Sequence, residues 1–356
     1  MQTETSGHVS PSEPSDLPRD CTFEPQDWAI LAARWYPIAL TREIENGPVA
    51  ARLLDERLVV YRQGGEVVVA HELCPHRGVP LSMGKYDGEG VVCPYHGLRY
   101  GAQGQCNRIP SHPSSRIPTK LHLKTYPAVV RYGLVWTCLR PIGEAPSMQD
   151  ICPMPHWDDA EFQQIVCPWM DIAGFAGRQL EGFLDVAHFG FVHAPTFGDP
   201  NNTVVPSYKT EPHNTGFEVK YWSTVGNYPI GVDGRADTGF KWLRHFNLHA
   251  PFTATLTIHF PEGGRLVIMN AACPASAKMT RLFAPIARNF DKNLPVQDVY
   301  DYNTKIFLED KAMVEAQMPE CLPLDPLLEA HIPADRSSIA YRKTLRDMGL
   351  SRIFLS

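Results

Sequence analysis

The chain has 356 residues, 44% hydrophobic and 20% charged, the balance of a water-soluble protein with room for two domains. Its net charge of −6 argues against a general nucleic-acid or membrane-surface binder, and no apolar run approaches the roughly 18 residues of a membrane span. No secretory signal is visible, and the cysteines show no paired spacing, so those outside the motifs below read as reduced thiols of a cytoplasmic protein.

Residues 1–27 are rich in Ser, Pro, Thr and acids, which predicts a disordered tail. Trp28–Tyr36 reads as a short helix running into a strand. Leu58–Arg62 and Glu66–His71 are β-branched runs about Gln63-Gly64-Gly65, hence a hairpin. Leu98–Tyr100 and Gln105–Ile109 flank Gly101–Gly104 similarly, and Leu134–Leu139 is a further strand. Pro141–Pro155, rich in Pro, Gly and acids, marks a boundary. The expected division is an antiparallel β domain over 28–145 and a second domain over 146–356. In the second, Gly177–Val192 reads as helix. Phe217–Val225, Phe240–His249, Thr253–Phe260, Arg265–Cys273 and Met279–Ile286 read as an antiparallel meander. Asp298–Gln317 is a long helix stopped by Pro319, and Tyr341–Met348 a short one. The fold class expected is α+β, the second sheet having one face against helices.

Two short motifs carry the chemistry of the first domain: Cys74-Pro75-His76 and, sixteen residues on, Cys93-Pro94-Tyr95-His96. Each supplies one thiolate and one imidazole in a tight loop framed by Pro and, at Gly78 and Gly97, by Gly. A Cys2His2 zinc site usually pairs Cys with Cys and His with His. The mixed pairs suit instead a [2Fe–2S] centre with both Cys on one iron and both His on the other, the Rieske arrangement.

The second domain offers His188 and His193, with Asp185 three residues before the first. Five residues turn roughly 140° on an ideal helix, so the two His can share an ion only if the helix ends or bulges between them. Gly190 and Pro195 are where the ending is expected. A facial triad for non-haem Fe(II) needs a carboxylate as well. On the long helix, Asp310 is the one acid in the stripe Ile306, Asp310, Met313, Val314, Gln317, whereas Glu309 is expected on a solvated face. Phe183, Phe189, Trp222, Phe240, Trp242 and Met269 are the expected pocket walls, between the meander and this helix.

The run CPHRGVPLSMG…CPYHGLRYGAQGQC resembles the Rieske domain of the Rieske non-haem iron oxygenases, with Leu98 where the family usually has an aromatic residue. Asp185, His188 and His193 resemble the family's mononuclear iron motif, and EDKAMVEAQ its C-terminal motif, matched by Asp310. Within the family the chain is most similar to the single-subunit-type oxygenases that include the saxitoxin-pathway hydroxylases, toluenesulfonate methyl-monooxygenase and the methylxanthine and vanillate demethylases, and CPHRGVPLSMG, RYGLVW and HIPADRSSIAYRKTLRDMG resemble the saxitoxin-pathway enzymes in particular. It implies a Rieske domain followed by a helix-grip catalytic domain, with a [2Fe–2S] cluster on Cys74, His76, Cys93 and His96. It further implies mononuclear Fe(II) on His188, His193 and Asp310, with Asp185 as a bridge for electrons from the cluster of a neighbouring subunit. The implied enzyme is a head-to-tail homotrimer that uses O2 and a separate NAD(P)H-dependent reductase, with or without a ferredoxin. It would hydroxylate or demethylate a small cyclic or aromatic substrate. The rival expectation is a Rieske electron carrier without oxygenase chemistry, for which about the first 150 residues would suffice.

Overall fold

The computed structural model describes residues 17–141, 150–227, 236–237, 239–325 and 327–351. The first domain opens with helix α1 (Pro25–Ala32). Eleven strands follow: β1 (Tyr36–Leu40), β2 (Val49–Leu53), β3 (Glu56–Gln63), β4 (Glu66–His71), β5 (Lys85–Tyr86), β6 (Val91–Val92), β7 (Arg99–Tyr100), β8 (Cys106–Arg108), β9 (Thr125–Tyr126), β10 (Ala128–Arg131) and β11 (Leu134–Thr137). They form three antiparallel sheets, ordered β1-β11-β10, β2-β3-β4-β9 and β5-β6-β7-β8. Gln63 pairs with Glu66 across a two-residue turn, and Gly64 and Gly65 take φ of +56° and +91°. Left-handed φ at both central positions is what this tight hairpin turn demands.

Strand β3 is buried on both faces and joins two cores. Leu58 and Val60 enter the main core, while Val59 and Tyr61 enter a smaller one with Val68, Leu81, Val91, Leu98, Tyr100, Cys74 and Cys93. The loops at Cys74 and Cys93 thus have an apolar foundation of their own.

The second domain contains β12 (Gln163–Val166), β13 (Met170–Ile172), helices α2 (Ala176–Leu184) and α3 (Phe189–Val192), β14 (Thr210–His213), β15 (Gly216–Ser223), β16 (Trp242–His249), β17 (Thr253–His259), β18 (Arg265–Ser276), β19 (Met279–Phe283) and β20 (Pro285–Arg288), then α4 (Val296–Ala316) and α5 (Arg336–Asp347). Its nine strands make one antiparallel sheet, ordered β12-β20-β18-β17-β16-β15-β14, with β19 bridging β18 and β13. Strand β16 alternates strictly, burying Trp242, Arg244, Phe246 and Leu248. Phe246 meets Phe183 of α2 at 6.0 Å between ring centroids, which identifies the face turned toward the helices.

Several expectations are corrected. The predicted tail ends too late. Residues 1–16 lie outside the described residues, but Phe23 and Asp27 are buried. The amide and hydroxyl of Thr22 both donate to Asp55 Oδ2 at 2.7 Å, and Ser351 donates twice to Asp27. The helix expected over Gly177–Val192 is two helices. The run Met279–Ile286 is broken at Ala284 into β19 and β20, and α5 starts five residues earlier than its pattern indicated. The expected boundary at 145/146 lies in 142–149, outside the described residues.

Candidate metal centres

The two loops of the first domain share one backbone design. In each, the Gly amide donates to the Cys carbonyl: Gly78 to Cys74 at 2.8 Å and Gly97 to Cys93 at 3.0 Å. In each, the Cys amide donates five residues ahead: Cys74 to Val79 at 3.0 Å and Cys93 to Leu98 at 2.8 Å. The chain closes on itself this way because Gly78 and Gly97 accept φ of +69° and +70°. Cys74 and Cys93 are buried, while His76 is half-buried and His96 exposed, with ring centroids 4.6 Å apart. The thiols point inward and the imidazoles outward. Burial pushes the Cys93 thiol up, and Cys74 beside it adds to this; a coordinated metal reverses that preference. Tyr100 Oη lies 3.0 Å from Cys74 Sγ.

These four donors do not meet at one point. Among the described residues, the only three or more His, Cys, Asp or Glu donors that converge are His188, His193 and Asp310, all within 4.8 Å of one another. A single zinc ion would require convergence of the Cys and His set. A two-iron cluster spreads its thiolate and imidazole ends apart, and the loops fit it.

The second site rests on a break in the helix. Helix α2 stops at Asp185, whose φ/ψ of −76°/141° is extended. The one-turn α3 then runs between the two His, with His188 as its N-cap and His193 as its C-cap. The break therefore precedes the first His and does not fall at Gly190. The amides of Thr196, Phe197 and Gly198 all donate to the His193 carbonyl, at 2.9, 3.1 and 2.8 Å. Gly198 is required there, since a Cβ would stand 1.9 Å from the Phe189 carbonyl oxygen.

His188 Nε2 and His193 Nε2 face each other at 3.1 Å, with Asp310 Oδ1 3.6 and 3.1 Å from them. Each imidazole is held from behind by a carboxylate: His188 Nδ1 by Asp185 Oδ2 at 3.0 Å, His193 Nδ1 by Glu309 Oε2 at 2.8 Å. Glu309 Oε2 also accepts from Thr196 Oγ1 at 2.8 Å. With each Nδ1 donating to its carboxylate, the neutral imidazoles turn their Nε2 lone pairs toward one another. Two lone pairs and a carboxylate oxygen this close call for a proton or a metal ion among them. Burial works against a charged His193, yet Asp310 and Glu309 outweigh it and raise its pKa above 6.5. Burial likewise opposes ionisation of Asp185, but His188 and the amides of Ala187 and Val186 bring its carboxyl below the usual value.

Sequence reasoning brought together Asp185, His188, His193 and Asp310 and missed Glu309. The face expected to be solvated is covered by the Thr196 turn. Of the expected stripe, Met313 is half exposed; the buried side chains of α4 are Val299, Asn303, Phe307 and Val314. Phe189 lies 5.0 Å from the His188 ring, and Phe183, Phe240 and Trp242 pack on the helix-facing side. Trp222 is 52% exposed, and Met269 pairs through Thr255 with Asn247, on the opposite face. Arg244, also missed, is fully buried with its guanidinium 5.2 Å from the Phe189 ring centroid. It donates to Ser223 Oγ, the carbonyls of Val225 and Gly226 and Asn227 Oδ1, and burial lowers its pKa to about 10. A cavity of about 730 Å³ lies elsewhere, between Trp35, Phe217, His249 and α5.

The sequence matches the family model of the Rieske [2Fe-2S] domain over residues 34–127 and that of the vanillate O-demethylase oxygenase C-terminal domain over 177–350. It is 31% identical over 326 residues to methylxanthine N1-demethylase NdmA of Pseudomonas putida, covering 88% of each chain. It is 28% identical to the toluene-4-sulfonate monooxygenase system iron-sulfur subunit TsaM1 of Comamonas testosteroni, over 79% of this chain and 86% of that one. The structure of Pseudomonas putida CBB5 NdmA with caffeine superposes with a TM-score of 0.76 at 30% identity, covering 90% of this chain and 91% of that one. Dicamba monooxygenase bound to dicamba shares the fold, at a TM-score of 0.76 and 19% identity over 89% of this chain and 97% of that one. With a Rieske domain in front, a catalytic domain behind and a relative matched along most of both chains, the protein belongs to the Rieske non-haem iron oxygenases, as an oxidoreductase of the monooxygenase and demethylase kind.

Proposed function

We propose that Cys74, His76, Cys93 and His96 hold the [2Fe–2S] cluster, and that His188, His193 and Asp310 hold one Fe(II). The enzyme hydroxylates a C–H or methyl group of a small cyclic or aromatic substrate. Where the attacked carbon bears N or O, the product collapses and releases formaldehyde, a net demethylation. The relatives named as an N-demethylase and a monooxygenase support this range. The observation that carries the reading is the meeting of three lone-pair donors at His188, His193 and Asp310, each imidazole braced from behind by a carboxylate.

When bound, the iron supplies O2 activation, with electrons from the cluster. The chain's own residues orient and exclude. Asp185 and Glu309 fix the tautomers of His188 and His193. Asp310 supplies the negative charge that balances a divalent ion. Phe189, beside both His, keeps water from one side of the site.

The reading includes a head-to-tail homotrimer in the cytoplasm, served by an NAD(P)H-dependent reductase with or without a ferredoxin. Asp185 is 26% exposed at its side chain, and its oxygens have lone pairs to spare beyond His188 and Ala187. A neighbour's cluster imidazole can therefore reach it. Exposed Met83 and Tyr95 at the cluster end, and Met318, Leu328 and Ile332 about the cleft beside Asp185, are apolar surface suited to such a contact. All nine cysteines are free, and among the described residues no helix is long and apolar enough to cross a membrane.

The test is metal content with turnover. Purified anaerobically, the protein should hold about three irons per chain. With a reductase, NADH and a panel of methylated aromatic and heteroaromatic compounds, it should consume O2 and release hydroxylated product or formaldehyde. About two irons per chain, with no product from any substrate, would leave only an electron carrier.

A further inference from the structure

A charge buried in a protein is normally matched by an opposite one. Arg178 and Arg342 follow this rule, each holding a carboxylate. Arg244 does not. It is 1% exposed, and even with its pKa lowered to about 10 by burial it remains a cation at neutral pH. Tyr221 and Ile258 pair with it across β15 and β17, and Trp242 and Phe246 flank it on the buried face of β16. Its guanidinium donates to four neutral acceptors: Ser223 Oγ at 3.2 Å, the carbonyls of Val225 and Gly226 at 3.0 and 2.9 Å, and Asn227 Oδ1 at 3.3 Å. Among the described residues no Asp or Glu pairs with it.

This lone cation lies beside the triad. Its guanidinium is 5.2 Å from the Phe189 ring centroid, and that ring is 5.0 Å from the His188 ring and 6.2 Å from the His193 ring. The steps of 5.2 and 5.0 Å put it within about 10 Å of the His188 imidazole, a range over which buried charges still act strongly on one another. Asp185 belongs to the same neighbourhood. Burial raises the pKa of the Tyr221 hydroxyl, which Arg244 draws down and Asp185 pushes up, so one side chain is in reach of both charges. Asp185, Glu309 and Asp310 bring three negative charges to the centre, against two positive on Fe(II). Arg244 makes up the difference.

We propose that Arg244 is the buried counter-charge of the loaded iron centre and holds the ion in its ferrous state. The inference rests on the reading that His188, His193 and Asp310 hold Fe(II). A fixed cation repels a trivalent ion more than a divalent one, so it disfavours Fe(III) and raises the reduction potential of the centre. The reaction it opposes is loss of one electron from the resting ferrous ion to O2, which leaves a ferric ion on the same ligands. Because the guanidinium is buried, salt screens the effect little. At about 10 Å and an effective dielectric of about 20, one unit charge changes the ferric-to-ferrous ratio roughly tenfold. Arg244 touches neither the ligands nor the ion, so it is a positioning residue acting through its field.

Two variants cancel the charge by different routes. Arg244→Met removes it together with its hydrogen bonds. Asn227→Asp keeps the size of the side chain and the hydrogen bond, and sets a carboxylate against the guanidinium. The holoenzyme is poised with redox mediators over a range of potentials, and the high-spin ferric signal of the triad iron is followed by electron paramagnetic resonance. In both variants that signal should appear at lower potential, with a ferric-to-ferrous ratio about tenfold higher at the wild-type midpoint. The midpoint of the cluster, read from its own signal, should not move. Fe(II) should also resist a chelator more strongly in both, because the centre has become more negative. Arg244→Lys, which keeps the charge without the forked hydrogen bonds, should stay at the wild-type ratio. A wild-type ratio in Asn227→Asp overturns the proposal and reduces Arg244 to a brace for the Val225–Asn227 backbone. A shift in Arg244→Lys equal to that in Arg244→Met overturns it on the same ground. A wild-type protein with only two irons per chain and no ferric signal at any potential would remove the triad reading itself.

Discussion

A carboxylate on the far nitrogen of an imidazole decides which nitrogen is free to bind, and this chain uses that device twice, with Asp185 and with Glu309. The two acids next to each other on α4 therefore divide the work. Asp310→Ala should lose about one iron of the three and all turnover, with the visible spectrum of the cluster intact. Glu309→Leu should keep the cluster and weaken iron binding at the triad by about 10- to 100-fold, read by chelator competition. Glu309→Gln, which can still accept from Nδ1, should recover much of that loss. Equal iron affinity in Glu309→Leu and wild type would reduce Glu309 to a bystander. At this scale the sequence was legible wherever chemistry has a spacing. Cys74, His76, Cys93 and His96 announce themselves by their mixed pairs. His188 and His193 needed the context of the first set. Glu309 was not legible, because helical periodicity separates apolar from polar faces. It cannot tell a polar side chain in water from one bonded to Thr196 and His193.

Among the elements, those bounded by strong punctuation were readable. Gly64-Gly65 marked the β3–β4 turn, although Gln63, read as part of the turn, pairs with Glu66 as the last residue of β3, and the run read over Thr253–Phe260 is β17 but for its last residue. The place of the break between α2 and α3 was not readable, since Asp185–Ala187 holds no Gly or Pro to mark it. Side-chain bonds decide it: Asp185 accepts from His188 Nδ1 three residues on, and Ser337 Oγ of α5 donates to the Leu184 carbonyl. Gly198→Ala should drive the Phe189 and His193 backbones apart. The expected result is loss of the triad iron with retention of the cluster, seen as a drop in iron per chain without loss of visible absorbance. Helices α2 and α5 are tied by buried ions, Arg342 to Glu181 at 2.6 and 2.8 Å and Arg178 and Arg342 to Glu329. Removing one partner by Arg342→Leu leaves Glu181 buried with only Arg178 Nη1, at 3.7 Å, to balance it, at a cost of up to about 3–5 kcal/mol in chemical denaturation. Burial opposes the charge on Glu329, but the two arginines outweigh it and lower its pKa below 4.5. Its contribution is therefore complete above the ordinary carboxylate value and is lost as pH falls through the lower, folded value. Tm measured against pH should fall on that acid limb in the wild type and be flatter in Glu329→Gln, whose Tm is lower at neutral pH.

For the molecule as a whole, the order of a Rieske domain and then an oxygenase C-terminal domain was legible from two motif sets, whereas the ordered start of the chain was not. Phe23 and Asp27 sit in a polar stretch whose partners, Asp55 and Ser351, are remote in sequence. Transfer between domains of different copies is tested at Asp185. Asp185→Asn keeps size and removes charge. It should retain both iron centres and its oligomeric state, and its cluster should accept electrons. In a single turnover with substrate and O2, that cluster should then stay reduced. Reoxidation at the wild-type rate would remove the bridge. The triad also spans the chain in another sense: His193 and Asp310 are 117 positions apart. An ion gripped by both ends of so long a loop acts as a removable cross-link, favouring the folded state by mass action on top of its chemistry. Stripping it with a chelator should lower the Tm of the catalytic domain and raise amide exchange in α3 and α4 together, leaving β3 and β4 protected. Iron scarcity would then be felt as a shortened lifetime of the protein as well as a loss of product.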